Sequence, residues 1–197
     1  MPKIGESYTA ARAQLLSHRP PPGARATELR LLDAWRTNNR VTIYLLERLT
    51  PKLWSASLPG SPLRTVGMTA SHIHNVRCRW VRTLGGESGV AVPAMVEARR
   101  ATRRQVVSAL RQSSRGILAL LRTGQEHGGS IPPSAAYTWR NLPLDVEHVL
   151  CYFVAHEAQH RGQIVLAARA LGARLPAEVT DGLWQWNRRS VEGKASR

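Results

Sequence analysis

The chain has 197 residues, 43% of them apolar, and carries a formal charge of +15 at neutral pH. That length and apolar share suit one globular domain with a packed core and argue against a disordered chain. No apolar run approaches the roughly 20 residues of a membrane span, and residues 1–18 lack the continuous apolar stretch of a signal peptide, so the expected setting is the cytoplasm.

All but three of the 28 basic residues are arginine, and they are spread along the whole chain. The densest group is Arg99, Arg100, Arg103 and Arg104. Dispersed arginines read as solvated helix faces, so specific nucleic-acid binding is not expected. The two cysteines, Cys78 and Cys151, form no C-x-x-C pair, which excludes a sulfur-rich zinc knuckle.

Residues 1–26 read as a flexible lead-in, because Pro20, Pro21, Pro22 and Gly23 interrupt any helix. The folded domain is expected over 27–190, followed by a tail over 191–197. The first helix is placed at about 28–49, with Leu31, Leu32, Trp35, Val41, Leu45, Leu46 and Leu49 on its apolar side. A second runs from an N-cap at Thr65 to Gly85–Gly86; on it Thr69, His72, Val76 and Trp80 share a face. A third is expected from Pro93 to about Arg122, with Met95, Ala98, Val106, Leu110, Ile117 and Leu121 inward. A long polar loop over 124–141 carries His127, Tyr137 and Trp139; loops of that length are commonly functional. The fourth helix spans about 144–171, with Val149, Phe153, His156, His160, Gln163 and Ala167 along one seam. A short C-terminal helix carries Trp184 and Trp186 as a candidate lid. No strand-like alternation of useful length is visible. The expected fold is all-α, an antiparallel four-helix bundle with a short C-terminal helix.

His156 and His160 stand four apart, so their imidazoles emerge one above the other on one helix face. They lie in the apolar seam, where an imidazole requires a partner or a ligand. His72, on the inward face of another helix, offers a third. Three histidines facing inward suit zinc or nickel with positions left open; the alternative is a set of core histidines bonded to carbonyls and carboxylates. His74 competes with His72 for third place, but points about 200° away from it, on a less apolar face. Residues 156–160 also match H-E-x-x-H, the zinc-protease helix with Glu157 as base. Nothing else supports a protease, and Glu157 four residues before Arg161 reads more simply as an ion pair.

The segment HEAQHRGQI, at 156–164, resembles the C-terminal signature of the DinB/YfiT-like metalloenzymes. SHIHNVRCRW, at 71–80, is similar to the same family's earlier motif, a helix histidine followed eight residues later by tryptophan. LPAEVTDGLWQW has the flavour of one branch. The resemblance covers about 28–188. It implies a four-helix bundle, often dimeric, with one divalent metal, zinc or nickel, on His72, His156 and His160. Many members have histidine where this chain has Gln159, a position that the family does not use as a ligand. Members with known activities include thiol transferases and a thiol-dependent isomerase. The resemblance therefore points to a metal-dependent transferase of the thiol-S-transferase type, or a hydrolase, acting on a small molecule, with a low-molecular-weight thiol as a second candidate cofactor. The alternative is a non-catalytic, metal-stabilised binding protein or a basic module associated with nucleic acid. Gln163 can either orient the site or bond between helices, and no catalytic residue stands out.

Overall fold

The computed structural model describes residues 22–195, with side chains from Leu29 onward. It is mostly helical, 65% helix, with seven helices and one two-stranded sheet among the described residues. The elements in order are α1 (Pro22–Glu47), α2 (Pro51–Ser55), β1 (Ser57–Leu58), β2 (Ser61–Thr65), α3 (Val66–Gly85), α4 (Arg103–Glu126), α5 (Val146–Ala170), α6 (Ala177–Gly182) and α7 (Trp186–Ala195). Among the described residues no helix is long and apolar enough to cross a membrane. The chain divides into units of residues 1–30 and 31–197. Of the lead-in read from sequence, residues 1–21 lie outside the described residues, as do 196–197 at the tail.

Each long helix after α1 starts where a side chain satisfies a free amide of its first turn. Thr65 accepts from Met68 N at 3.1 Å, and Asp145 accepts from His148 N at 3.0 Å. Thr102 forms a reciprocal capping box with Gln105. α1 begins at Pro22, inside the stretch read as a helix interruption, because proline is tolerated in a helix's first turn.

Three boundaries differ from the sequence reading. α4 begins at Arg103, ten residues later than Pro93. The intervening segment reads as helix by composition, but its backbone is engaged by α3. Asn75 bonds both the N–H and the carbonyl of Val96 at 3.0 Å, and a ring nitrogen of His74 lies 2.9 Å from the carbonyl of Ala94. Met95 is consequently 44% exposed rather than inward, and Arg99 and Arg100 sit in a turn. Gly124 lies within α4 rather than ending it. A Cβ there would come within 2.6 Å of Val146 and 3.0 Å of Ile131, so glycine permits the close approach of α4 to the next segment. The third difference is the β1–β2 hairpin, which turns at Pro59–Gly60, with Gly60 at φ 73; its strands are too short to show alternation.

The core has two apolar clusters. One gathers Leu45, Leu46, Leu49, Ile73, Leu110 and Ile164; the other gathers Trp35, Leu84, Ile117, Leu120, Val149 and Phe153. Hydrogen bonds also join a set of buried polar side chains. Arg77, Glu157, Asn38, Thr42 and Arg161 are all out of solvent, and this set lies directly behind the histidines of α5.

Candidate metal centre

α3 presents His72 and α5 presents His156 and His160, and the three imidazoles converge. Their potential ligand atoms all lie within 4.8 Å of one another. Ring centroids are 5.4 Å apart for His72–His156, 4.7 Å for His72–His160 and 4.5 Å for His156–His160. The Nε2 atoms of His156 and His160 stand 3.1 Å apart. Two nitrogens each about 2.1 Å from one ion are separated by roughly 3.0–3.4 Å in octahedral or tetrahedral geometry, so this spacing fits a shared ion. His160 Nδ1 donates to Gln163 Oε1 at 2.8 Å. That bond puts the proton on Nδ1 and leaves Nε2 as the lone pair facing the trio, the usual outer support of a metal-bound histidine.

Two of the imidazoles are also held in the form a metal requires. Burial, followed by the neighbouring His160 and His156 and then Arg64 and Arg79, pushes His72 down to about 4. Burial and His160 likewise lower His156. Both rings are therefore neutral at physiological pH, with lone pairs available. Among the described residues no cysteine or carboxylate joins the three histidines. Cys78 is buried beside His74 and its thiol is pushed up to about 11, chiefly by burial. Cys151 is exposed.

His74 is a structural residue. Its Nδ1 lies 3.0 Å from Ser113 Oγ and its Nε2 2.9 Å from the Ala94 carbonyl, so both nitrogens are engaged away from the trio. Glu157 is not a protease base. Its Oε1 accepts from Arg77 Nε at 2.7 Å, and its Oε2 accepts from Asn38 at 3.0 Å and Thr42 at 2.8 Å. Arg161, the partner expected from spacing, forms the looser ion pair at 3.7 Å and donates its hydrogen bonds to Asn38 and Thr42. Burial raises the Glu157 pKa, but Arg77, Arg161 and the Thr42 hydrogen bond outweigh it, and the carboxyl sits below its ordinary range. Sequence reasoning missed Arg77, Asn38 and Thr42 as a group, because pairing across 80 or more residues leaves no spacing signal.

Trp184 and Trp186 do not cover the histidines. They line a groove of about 1020 Å³ with Val154, Ala158, Gly162 and Val165 on the opposite face of α5, and none of the three histidines borders it. Gln163 is exposed and bonds within its own helix rather than to another.

A mostly helical chain with three imidazoles converging from two helices defines the class: a helical protein with a three-histidine site fit for a divalent cation. The chain belongs to the DinB family, whose model matches residues 24–189. Comparison with curated proteins gives no match. Comparison with solved structures gives none either.

Proposed function

We propose that the protein is a metal-dependent enzyme of the thiol-S-transferase or hydrolytic type, with one divalent ion, zinc or nickel, held by His72, His156 and His160. The observation that carries this reading is the convergence of three imidazoles with no fourth protein ligand among the described residues. A structural zinc site is closed by four protein ligands, whereas a catalytic one keeps a position for water or substrate. When bound, such an ion lowers the pKa of a coordinated thiol or water and so supplies a nucleophile near neutral pH.

The chain's own residues have separable tasks. His72, His156 and His160 offer lone pairs from two helices. Gln163 holds the His160 tautomer. The Arg77–Glu157 pair ties α3 to α5 directly behind the site, keeping the helix that carries His72 in register with the helix that carries the other two.

Cobalt substitution tests the open position. Addition of a low-molecular-weight thiol or a small anion to the cobalt protein is expected to change its visible spectrum. A spectrum indifferent to every added ligand would indicate a closed shell, and with it a structural metal.

A further inference from the structure

An aromatic row runs from the histidines to solvent. Tyr152 precedes His156 by one turn of α5, and the two rings are within 16° of parallel at 6.1 Å. Trp80 packs edge-on against Tyr152 at 5.3 Å and donates its indole N–H to the Tyr152 hydroxyl at 3.3 Å. Trp139, from the loop between α4 and α5, lies on Trp80 at 5.8 Å. The loop is closed around this contact by Tyr137, whose hydroxyl donates to the Leu142 carbonyl and accepts from the Leu142 N–H, both at 2.8 Å. Arg140, next to Trp139, has φ 46, a left-handed conformation that non-glycine residues seldom adopt without a surrounding constraint.

Packing accounts for Trp80 and Tyr137, which are buried. It does not account for Trp139, which is 60% exposed. A single exposed tryptophan is ordinary; this one continues a row that ends at the three histidines. Charge stands beside this row. Arg79 is exposed, precedes Trp80 directly in the chain, and stands seven residues after His72 on α3, two turns on and only about 20° around the helix.

We infer that Tyr152, Trp80 and Trp139, with Arg79, form the seat of a flat aromatic or conjugated anion. Its body lies on Tyr152 and Trp139, and its charged group pairs with Arg79. The further statement that this anion is the substrate, with its reacting end at the histidines, rests on the metal-enzyme reading above. Aromatic faces prefer flat conjugated bodies to saturated ones, and arginine adds both charge and a planar surface to stack upon.

The test uses 2-naphthoate as probe, with neutral 2-naphthamide and saturated cyclohexanecarboxylate as comparators. Binding is measured by calorimetry on metal-stripped and zinc-loaded protein, for wild type, Trp139→Ala and Arg79→Ala, with metal content assayed for each. Both substitutions are at exposed positions, so folding is preserved. Naphthoate is expected to bind the stripped protein, about five-fold or more tighter than the saturated acid. Trp139→Ala should weaken it by a similar factor, and Arg79→Ala should erase its preference over the amide, while both variants keep wild-type metal content. Unchanged naphthoate binding in both variants, equal binding of the saturated acid, or no binding to either form overturns the seat. Binding only to the zinc-loaded protein also overturns it, since the carboxylate is then a metal ligand, and leaves the metal-enzyme reading standing. Normal aromatic selectivity in a protein that takes up no metal supports the seat and removes the metal-enzyme reading.

Discussion

Arg77 and Glu157 meet at 2.7 Å with 1% and 0% of their side chains exposed, and Glu157 follows His156 directly in the chain. A buried pair of this kind is costly to desolvate, and breaking it leaves one charge uncompensated. Arg77 spreads its charge over Glu157, Asn39 Oδ1 and the Leu110 carbonyl, and packs over the Trp35 ring. Its Nη2 has no hydrogen-bond partner among the described residues. The pair thus fixes the α3–α5 register more than it adds stability.

Glu157→Gln and Arg77→Met should each destabilise the protein by about 3–5 kcal/mol. Replacing both with methionine should cost clearly less than the sum of Arg77→Met and Glu157→Met, because no lone charge remains buried. Urea denaturation of the wild type, the two methionine singles and the double variant measures this. Strictly additive losses would mean that the two residues act independently.

Metal content should follow the trio. His72→Ala, His156→Ala and His160→Ala are expected to lose bound zinc or nickel, whereas His74→Ala should keep it, because both of its nitrogens are engaged elsewhere. Elemental analysis of folded variants decides this. Retention of metal by His72→Ala together with loss in His74→Ala would exchange the third ligand.

Gln163→Ala should weaken metal affinity by about ten-fold or more without unfolding the protein, since its side chain is exposed and its role is to hold the His160 ring. Gln163→Glu keeps an acceptor at the same place and should restore affinity. Competition with a chelator gives the affinities. Equal values for wild type and Gln163→Ala would reduce the hydrogen bond to a local contact.

Acid should destabilise the metal-free protein in two stages. His74, lowered chiefly by burial, takes up a proton in the unfolded chain near its ordinary 6.5 but resists it when folded; its contribution is complete above that pH and falls away below it. His72 and His156 act with the same sign. Glu157, also lowered, adds a second loss that begins below its ordinary 4.5. Urea midpoints at pH 7.5, 5.5 and 4 should therefore descend in order, and a flat response between the first two would contradict the histidine stage.

The charge of +15 should give DNA binding that is weak, indifferent to sequence and steeply dependent on salt, because the arginines are dispersed. Titrations of unrelated duplexes at two salt concentrations check this. Tight, selective binding at physiological salt would favour a nucleic-acid module over an enzyme.

The helices that carry the site were legible because their signals are local. Thr65 caps α3, glycines end it, and the seam through Val149, Phe153, His160 and Ala167 recurs at helical spacing and is buried. The pair His156 and His160 follows from the pitch of one helix. The start of α4 was misplaced because Asn75 and His74, on another helix, bind the backbone ahead of it, and no propensity reports such a competitor.

By itself the sequence determined where the helices that carry the histidines run and which side chains share a face on each, and so which histidines were available; it misjudged burial at Met95 and Gln163, which are exposed, and at His74, which is fully buried. It favoured His72 over His74 without excluding the latter, and it gave Glu157 its i,i+4 partner Arg161 but not the shorter pair with Arg77. Those outcomes depend on contacts across 39 to 88 residues: His74 is engaged by Ser113, Glu157 by Arg77, and His72 is left to meet His156 and His160. Helical periodicity places a side chain on a face. What the face meets is set by packing, where each buried polar group must find a partner, and only the folded chain brings those partners within reach.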